Sequence, residues 1–370
     1  MIVINILFIT LSKGWGGLER NLLVMARWMQ EAGHLVEVAA PIDSKCWEQA
    51  LRWGLVLSPT PAVLAWRNAR QAKAWAKDKQ ADVVWIRDGR DLDFAGVVSR
   101  ALGAALVMQQ AMQIPRRKKA PWHYVRYRRV DAWVSGLNYL KTQCVSRTPI
   151  TDECCHVLPL PLDDHWFDQR KMEPTFRKDL GLSEEIWLMG TVGRLDPKKG
   201  QRTALQALAT LPTHVHWVFV GTNTIDNNQD ECQTLMQLAK DLEIEHRAHF
   251  VAAQEDLVPI YDALDGFAMT SHSETIGTVT LEAMARKIPI IGTNAGGTSE
   301  LLSMGRGQLI LPKNALDLGD AVKKMMTESR SSLDVRARKG QEYASACRPS
   351  RLIPAWEELL TTVLQSKRKA

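Results

Sequence analysis

Short apolar runs alternate along this chain with segments whose apolar residues recur every three to four positions. The first run, residues 2–9 (IVINILFI), leads into the loop Lys13-Gly14-Trp15-Gly16-Gly17. A helical pattern follows (NLLVMARWMQEAG), stopped by Gly33, and then an alternating strand, HLVEVAAP. Strand, glycine loop, helix and strand in that order make one βαβ unit. Helices are expected near 44–53, 66–79 and 92–102, with strands at 82–87, 104–110 and 131–137. Strands that alternate with helices predict a parallel, doubly wound sheet. The proline-punctuated stretch VLPLPLDDHWF (157–167) marks a domain boundary.

The second half restarts the alternation. A strand at 186–195 ends at Gly193-Arg194, the loop Asp196-Pro197-Lys198-Lys199-Gly200 follows, and a helix is expected over 201–211. Strands at 216–221 and 249–252 and helices at 230–242 and 257–263 come next. The stretch SHSETIGTVTLEAMA (271–285) then reads as a tight turn and a helix, preceded by the buried strand GFAMTS. A strand at 288–293, the turn Gly296-Gly297, a strand at 308–312 and a helix near 315–327 complete the pattern. Beyond Pro349, Trp356, Leu359, Leu360 and Val363 fall on one face of an amphipathic helix. The chain is therefore expected to hold two Rossmann-like domains, residues 1–162 and 163–347, and a C-terminal helix, 348–370, that crosses back to the first domain.

Composition narrows the class. The chain has 370 residues, 45% hydrophobic and 24% charged, which suits a soluble protein with two real cores. No run of eighteen apolar residues occurs, so no transmembrane helix is expected. The apolar N-terminus has no basic segment before it and reads as a first strand, not a signal peptide. Six cysteines, with Cys154 and Cys155 adjacent but no C-x-x-C spacing, point away from a zinc site or a disulfide framework and towards a reducing cytoplasm.

Charge divides unevenly. Residues 1–162 carry 22 basic against 13 acidic side chains, whereas residues 163–370 carry 25 against 28. The basic half concentrates its charge at Arg116, Arg117, Lys118 and Lys119, with Arg126, Arg128 and Arg129 beyond and Trp122, Tyr124 and Tyr127 interleaved; no acid lies between Asp93 and Asp131. Such a stretch is either a solvated basic face, a surface for an anionic membrane or acceptor, or a nucleic-acid site. No recognition signature accompanies the charge, and nucleic acid is not expected as a partner.

In the 271–285 stretch, Glu274 and Glu282 stand eight positions apart, with Gly277 and Thr278 at the helix start between them. A helix start suits a phosphate, and a carboxylate beside it can accept hydrogen bonds from sugar hydroxyls. Glutamates near helix starts are common for dipole reasons alone, so the pair acquires meaning from its surroundings. Arg194 and Lys199 sit at and just after a strand end, where two fixed cations could neutralise a diphosphate, and Gly296 supplies a further turn.

Together these pieces resemble the retaining glycosyltransferases of family four, which have the GT-B fold of two Rossmann-like domains facing across a cleft, with parallel sheets and helices on both faces. The resemblance runs through GGLERNL (16–22), GHLVEV (33–38), VLPLPLD (157–163), VGRLDPKKG (192–200), SETIGTVTLEAMA (273–285) and GTNAGGTSELL (292–302). It implies that Arg194 and Lys199 bind the donor diphosphate, that Glu274 contacts the transferred sugar near the reacting carbon and that Glu282 holds ribose hydroxyls. Backbone at Gly277 and Thr278 would hold phosphate, and Gly16 and Gly17 would let the first domain approach the donor. Glu274, Arg194 and Lys199 form the implied catalytic set. No cofactor or metal is expected; the acidic Asp91 to Asp93 pair, ahead of a helix, is read as surface. The donor is expected to be a nucleotide sugar, UDP-linked. The acceptor is expected to be a lipid-linked or anionic glycan of the cell-surface polysaccharide or lipopolysaccharide type. Arg116, Arg117, Lys118, Lys119 and Arg126 would face that acceptor or an anionic membrane, and the protein would be cytoplasmic, peripheral on the inner face of the membrane. Another nucleotide-sugar enzyme on the same fold, such as an epimerase, and a non-catalytic anion- or membrane-binding protein are the alternatives. Three positions depart from the family pattern. Ile276 stands where an aromatic is usual, Lys287 where glycine is commoner, and Gln109 and Gln110 follow the strand after which the family often places a histidine.

Overall fold

In a computed structural model, residues 2–61, 69–168, 175–223 and 230–369 are described. The chain separates into a first unit, Met1–Pro161 with Cys347–Ala370, and a second, Leu162–Ala346. Of the helix expected over 66–79, residues 66–68 lie outside the described residues.

The first unit contains, in chain order, β1 (Asn5–Ile9), α1 (Gly17–Glu31), β2 (Leu35–Ala40), α2 (Lys45–Arg52), β3 (Val56–Pro59), α3 (Ala69–Ala76), β4 (Val83–Ile86), α4 (Leu92–Leu102), β5 (Ala105–Gln110), α5 (Pro121–Tyr127), β6 (Ala132–Ser135), α6 (Asn138–Arg147) and β7 (Cys155–Val157). Its seven strands are all parallel, in the order β3-β2-β1-β4-β5-β6-β7. Both faces of the sheet are covered, which is why its strands read as continuous apolar runs. Along β1, Ile6 and Phe8 enter a core with α1 and α2, whereas Leu7 and Ile9 enter one with α3 and α4. The last helix of the chain, numbered α15 below, belongs to the first of these cores: Leu352, Trp356, Leu360 and Val363 are buried in it. Trp356 packs 4.1 Å from Trp85 of β4, which stacks in turn on Phe8 at 5.0 Å. His34 fixes the same helix. Its Nδ1 accepts from Ile4 N–H at 3.3 Å, so the proton sits on Nε2, which donates to Glu357 Oε1 at 3.1 Å.

The second unit contains α7 (Thr175–Asp179), β8 (Trp187–Val192), α8 (Gln201–Leu208), β9 (Val215–Val220), α9 (Glu231–Asp241), β10 (Ala248–Val251), α10 (Val258–Asp262), β11 (Gly266–Met269), α11 (Thr278–Ala285), β12 (Ile290–Thr293), α12 (Gly297–Leu302), β13 (Gln308–Ile310), α13 (Ala315–Thr327) and α14 (Arg330–Ser345), after which α15 (Pro349–Lys369) returns the chain to the first unit. Its sheet is again parallel, in the order β10-β9-β8-β11-β12-β13. Each unit is thus an α/β doubly wound sheet of Rossmann type. Among the described residues no helix is long and apolar enough to cross a membrane.

One loop reading needs correction. Asp91 and Asp93 were expected on the surface, but Asp91 is buried at the start of α4, with Oδ1 accepting from Leu11 N–H at 3.3 Å and Oδ2 without a partner. The loop after β4 packs under the loop after β1, and the D-x-D spelling does not reveal that. Asp93 pairs with Arg126 at 3.0 Å. Burial, and then the charge of the neighbouring Asp88, push the Asp91 carboxyl up to about 7.

Two outcomes follow for stability. Trp356→Ala should destabilise the first unit by about 3–5 kcal/mol, the usual cost of removing a buried Trp, and should leave the unfolding transition of the second unit in place; urea denaturation followed by proteolysis of each unit checks this. Because the Asp91 carboxyl has a raised value in the folded state, the native protein binds this proton more tightly than the unfolded chain. The stability of the wild type therefore falls as pH rises from about 4 to about 7 through this group. Asp91→Asn keeps the acceptor for Leu11. It should be more stable than wild type at pH 8 by about 1–4 kcal/mol, with the difference vanishing below about pH 4, as read by denaturation across that range.

Candidate functional site

The strand order of the second sheet reverses between β8 and β11. In open α/β sheets such a switch point opens a crevice beyond the carboxyl ends of the strands, where ligands bind. The loop after β8 ends in a 3-10 turn, Pro197–Lys199, capped by the Asp196 side chain, which accepts from Lys198 N–H at 2.8 Å. Backbone contacts lay this loop against the one after β11. His272 N–H donates to the Lys198 carbonyl at 2.8 Å, and Thr270 Oγ1 donates to the Lys199 carbonyl at 2.8 Å. Gly200 has φ 73°, and a Cβ there would lie 2.1 Å from the Thr270 carbonyl oxygen, so only glycine fits. The loop after β12 approaches as closely. Gly297 N–H donates to the Glu274 carbonyl at 2.8 Å, and a Cβ on Gly296 would sit 2.1 Å from that same oxygen.

Three loops so fixed bring the charged side chains together. Lys199 Nζ donates to Glu274 Oε2 at 2.6 Å, and Ser271 Oγ donates to the same oxygen at 3.1 Å. The Glu274 side chain is only 17% exposed, so its charge is met by the ammonium more than by water. An ammonium has three donors; the bond to Glu274 uses one and leaves two for an anion in the crevice. Arg194, just beyond β8, is exposed and in no ion pair among the described residues, and its carbonyl accepts from Gln201 Nε2 at 2.8 Å.

Gly277 caps the start of α11 and Thr278 is its first residue, so the N–H groups of these two residues have no partner within the helix and lie at the positive end of its dipole. Glu282 is one turn further and 5% exposed. The buried hydroxyl of Tyr261, on α10, donates to Glu282 Oε2 at 3.0 Å. Burial and the charge of Glu282 push the Tyr261 phenol well above its ordinary value, so it remains a proton donor. At the other end of α11, Arg286 pairs with Asp262 at 2.7 Å and donates to the Trp166 carbonyl at 3.2 Å, which pins the helix to α10 and to the 3-10 turn Asp164–Phe167. Ile276 is buried, and Lys287 is exposed with φ 58°, a conformation that glycine adopts more easily. Arg194, Lys199, Glu274, Gly277, Thr278 and Glu282 thus gather at the carboxyl ends of two adjacent strands. Cations and free N–H groups suit phosphate oxygens, and the carboxylates suit hydroxyls.

Ser271, Tyr261 and Gln201 were not anticipated. Ser271 borders the motif and could have been singled out from its place. Tyr261 lies 21 residues before Glu282 and Gln201 acts on a main-chain carbonyl, and neither leaves a signal in the spacing.

The first-unit candidates are more dispersed. Gly16 caps α1 with an extended backbone and Gly17 opens that helix, and nothing crowds Gly17. Arg116, Arg117 and Lys119 are exposed, and Lys118 is half-buried, where burial and then the Arg126 charge lower its ammonium. Arg126 does not join this surface: it is half-buried, paired with Asp93 and donating to the Gly89 carbonyl at 2.6 Å, because α5 turns it back onto α4. Tyr127 likewise points inward, stacked on Trp133 at 5.7 Å, whereas Trp122 and Tyr124 are exposed. Gln109 and Gln110 are buried and structural, accepting from Trp85 Nε1 at 3.3 Å and from Trp133 Nε1 at 3.0 Å. Among the described residues no group of three His, Cys, Asp or Glu is arranged to hold a metal ion.

Known proteins share this architecture. The chain resembles the Anabaena protein HepE, solved in complex with UDP, at 21% identity with a TM-score of 0.84, covering 97% of this chain and 100% of that one. It resembles a glycosyltransferase from Rickettsia africae ESF-5 at 16% identity with a TM-score of 0.87, covering 98% and 99%. In sequence it is 32% identical over 175 residues to a D-inositol 3-phosphate glycosyltransferase of Corynebacterium jeikeium (strain K411), covering 45% of this chain and 41% of the relative. It is 31% identical over 145 residues to the lipopolysaccharide core biosynthesis glycosyltransferase LpsE of Rhizobium meliloti (strain 1021), covering 39% of each. The matched segments thus span less than half of these two curated relatives. The model of the glycosyl transferases group 1 family matches residues 172–342, which include β8, β11, α11 and every second-unit residue of the site. The family match thus falls on the second unit, which is the part of this chain similar to the group 1 glycosyl transferases.

Proposed function

We propose that this protein is a retaining, metal-independent glycosyltransferase that moves a hexose or N-acetylhexosamine from a UDP-sugar to a lipid-linked or anionic glycan of a cell-surface polysaccharide or lipopolysaccharide. The observation that carries the reading is the Lys199–Glu274 pair at the switch point, flanked by Arg194 and by the start of α11. Arg194, the two remaining donors of Lys199 and the N–H groups at Gly277 and Thr278 hold the diphosphate. Their fixed positive charge meets the negative charge that grows on the diphosphate as the glycosidic bond breaks, which replaces the need for a metal. Glu274, held by Lys199 and Ser271, accepts from hydroxyls of the transferred sugar and favours positive charge at its anomeric carbon. The acceptor hydroxyl attacks on the face the diphosphate leaves, its proton passing to the departing phosphate oxygen, so configuration is retained. Glu282, kept rigid by Tyr261, accepts from the ribose hydroxyls. UDP bound to HepE and the naming of LpsE for lipopolysaccharide core biosynthesis support the donor and acceptor classes.

The membrane reading rests on the segment before α5. Exposed Arg116, Arg117 and Lys119 adjoin Trp122 and Tyr124, which are 68% and 52% exposed, the pairing of cations and interfacial aromatics that anionic lipid headgroups favour. It makes the protein peripheral on the cytoplasmic face of the membrane.

Three measurements test the proposal. UDP at about 100 times its dissociation constant should stabilise the protein by about 2.7 kcal/mol, visible as a raised melting temperature, and Glu282→Ala should weaken the shift. Transfer of labelled sugar to a glycan acceptor should fall about 10²–10³-fold in Lys199→Ala and in Glu274→Ala. A thermal shift without sugar incorporation would favour an epimerase-like enzyme over a transferase. In sedimentation with lipid vesicles, the triple change of Arg116, Arg117 and Lys119 to Gln should abolish binding to anionic vesicles and leave the UDP shift unchanged. Equal binding of the wild type to neutral and anionic vesicles would sink the electrostatic reading.

A further inference from the structure

Three of the six cysteines meet at one corner of the first unit: Cys144 on α6, Cys154 just before β7 and Cys155 at its start. All are free thiols. Successive residues of an extended strand project to opposite faces, and the neighbours of Cys154 and Cys155 differ accordingly. Cys154 Sγ donates to the carbonyls of Val130 and Asp131 at 3.5 and 3.4 Å, and burial pushes this thiol up to about 11. It is an anchored, protonated thiol.

Cys155 shares a core with Cys144 instead, and the two thiols interact strongly enough to shift each other's proton affinity. Polar groups surround the pair within an otherwise apolar core. Ser135 Oγ lies 3.8 Å from Cys155 Sγ, and Thr148 Oγ1 lies 3.6 Å from Cys144 Sγ. Interaction with Cys144 holds the Cys155 thiol below its ordinary value against the effect of burial, helped by Ser135 and the charge of Lys141. The same interaction, together with burial, holds Cys144 up. Of the two, Cys155 lines a groove and Cys144 does not, so Cys155 is the sulfur that meets an oxidant first. Cys155 also has a path from solvent. A groove of about 920 Å³ between α6, β7 and α15 is lined by Cys155 with Lys141, Asp152 and His156. At 1% exposure Cys155 is reachable through it by a small oxidant and closed to a bulky one.

We propose that Cys155 and Cys144 are a peroxide-sensitive dithiol that closes to an intramolecular disulfide, with Cys154 as a bystander. The Cys155 thiolate attacks hydrogen peroxide and breaks the O–O bond, becoming a sulfenic acid. The hydroxide released takes up the proton lost from that thiol and becomes water. The Cys144 thiol then attacks the sulfenic sulfur, the S–S bond forms, and the sulfenic oxygen leaves as a second water. Two thiols give two electrons and one peroxide becomes two waters. The bond ties α6 to the edge strand of the sheet along the wall of the groove, and thiol–disulfide exchange with a small dithiol reverses it.

The test uses the full chain, exposed to hydrogen peroxide under native conditions, capped with N-ethylmaleimide after denaturation and mapped by peptide mass spectrometry. The expected result is a loss of two cappable thiols, a Cys144–Cys155 peptide lighter by about 2 Da than its two thiol components, and recovery with dithiothreitol. Cys144→Ser should stop at a Cys155 sulfenic acid that dimedone traps, Cys155→Ser should keep its thiols, and Cys154→Ser should form the disulfide as the wild type does. The wild-type peptide map decides even where a serine at a buried site impairs folding. A Cys154–Cys155 link, or no loss of thiols from the folded wild type under peroxide that oxidises the denatured chain, would overturn the proposal.

Discussion

Where the loops after β8, β11 and β12 meet, backbone comes nearer to backbone at two places than any side chain allows. Gly200 lies against the Thr270 carbonyl and Gly296 against the Glu274 carbonyl, each leaving about 2.1 Å for a Cβ that is not there. The rest of the site depends on this double approach. It fixes the loops after β8, β11 and β12 against one another through main-chain contacts, and a main-chain contact cannot relax as a rotamer can. The Lys199–Glu274 pair is then an outcome of loop placement: two partly covered charges are held at 2.6 Å by backbone geometry, so little side-chain entropy remains to be lost. Polar placement of this kind is what allows electrostatic stabilisation without reorganisation during reaction.

Both units share one topology, yet their switch points have opposite chemistry. In the second, the loops after β8 and β11 present Arg194, Lys199 and the start of α11. In the first, the corresponding loops after β1 and β4 fill the space with their own groups. Arg87 is buried and donates to the Leu18 carbonyl at 3.2 Å, Asp88 pairs with Arg90 at 2.5 Å, and Asp91 holds Leu11. Burial lowers the Arg87 guanidinium to about 9. A shared fold thus carries a crevice lined by cations once and a buried polar knot once, the knot leaving Arg87 Nε and Asp91 Oδ2 without partners, which is why function has to be argued from the site and not from the sheet.

Much of this was legible in the amino-acid order, and the exceptions have physical reasons. The parallel βα alternation could be read because strands buried on both faces are apolar throughout, and Glu274, Lys199 and Gly277 could be read because turn, charge and helix start are local in sequence. The strands β3 and β7 went unseen, being four and three residues long at the sheet edges. The helix α5 was hidden by its own charge, since Arg126 and Tyr127 face inward while Trp122 and Tyr124 face out. Burial of Asp91 was illegible because it depends on Leu11, eighty residues earlier. Tyr261 escaped for the same reason: its partner is set by the packing of α10 on α11, and no spacing rule links them.

The return of α15 to the first unit makes the core of that unit discontinuous in time as well as in sequence. During synthesis, the sheet of residues 5–157 emerges long before Trp356 exists to cover Trp85 and Phe8. The second unit, by contrast, is a single uninterrupted segment, Leu162–Ala346, and has all its strands and helices once that segment has emerged. The half of the chain made second is therefore the half that can finish folding first. The earlier half waits, the part of its sheet around Trp85 left without its last cover, for α15 to complete a core that α1 and α2 have begun.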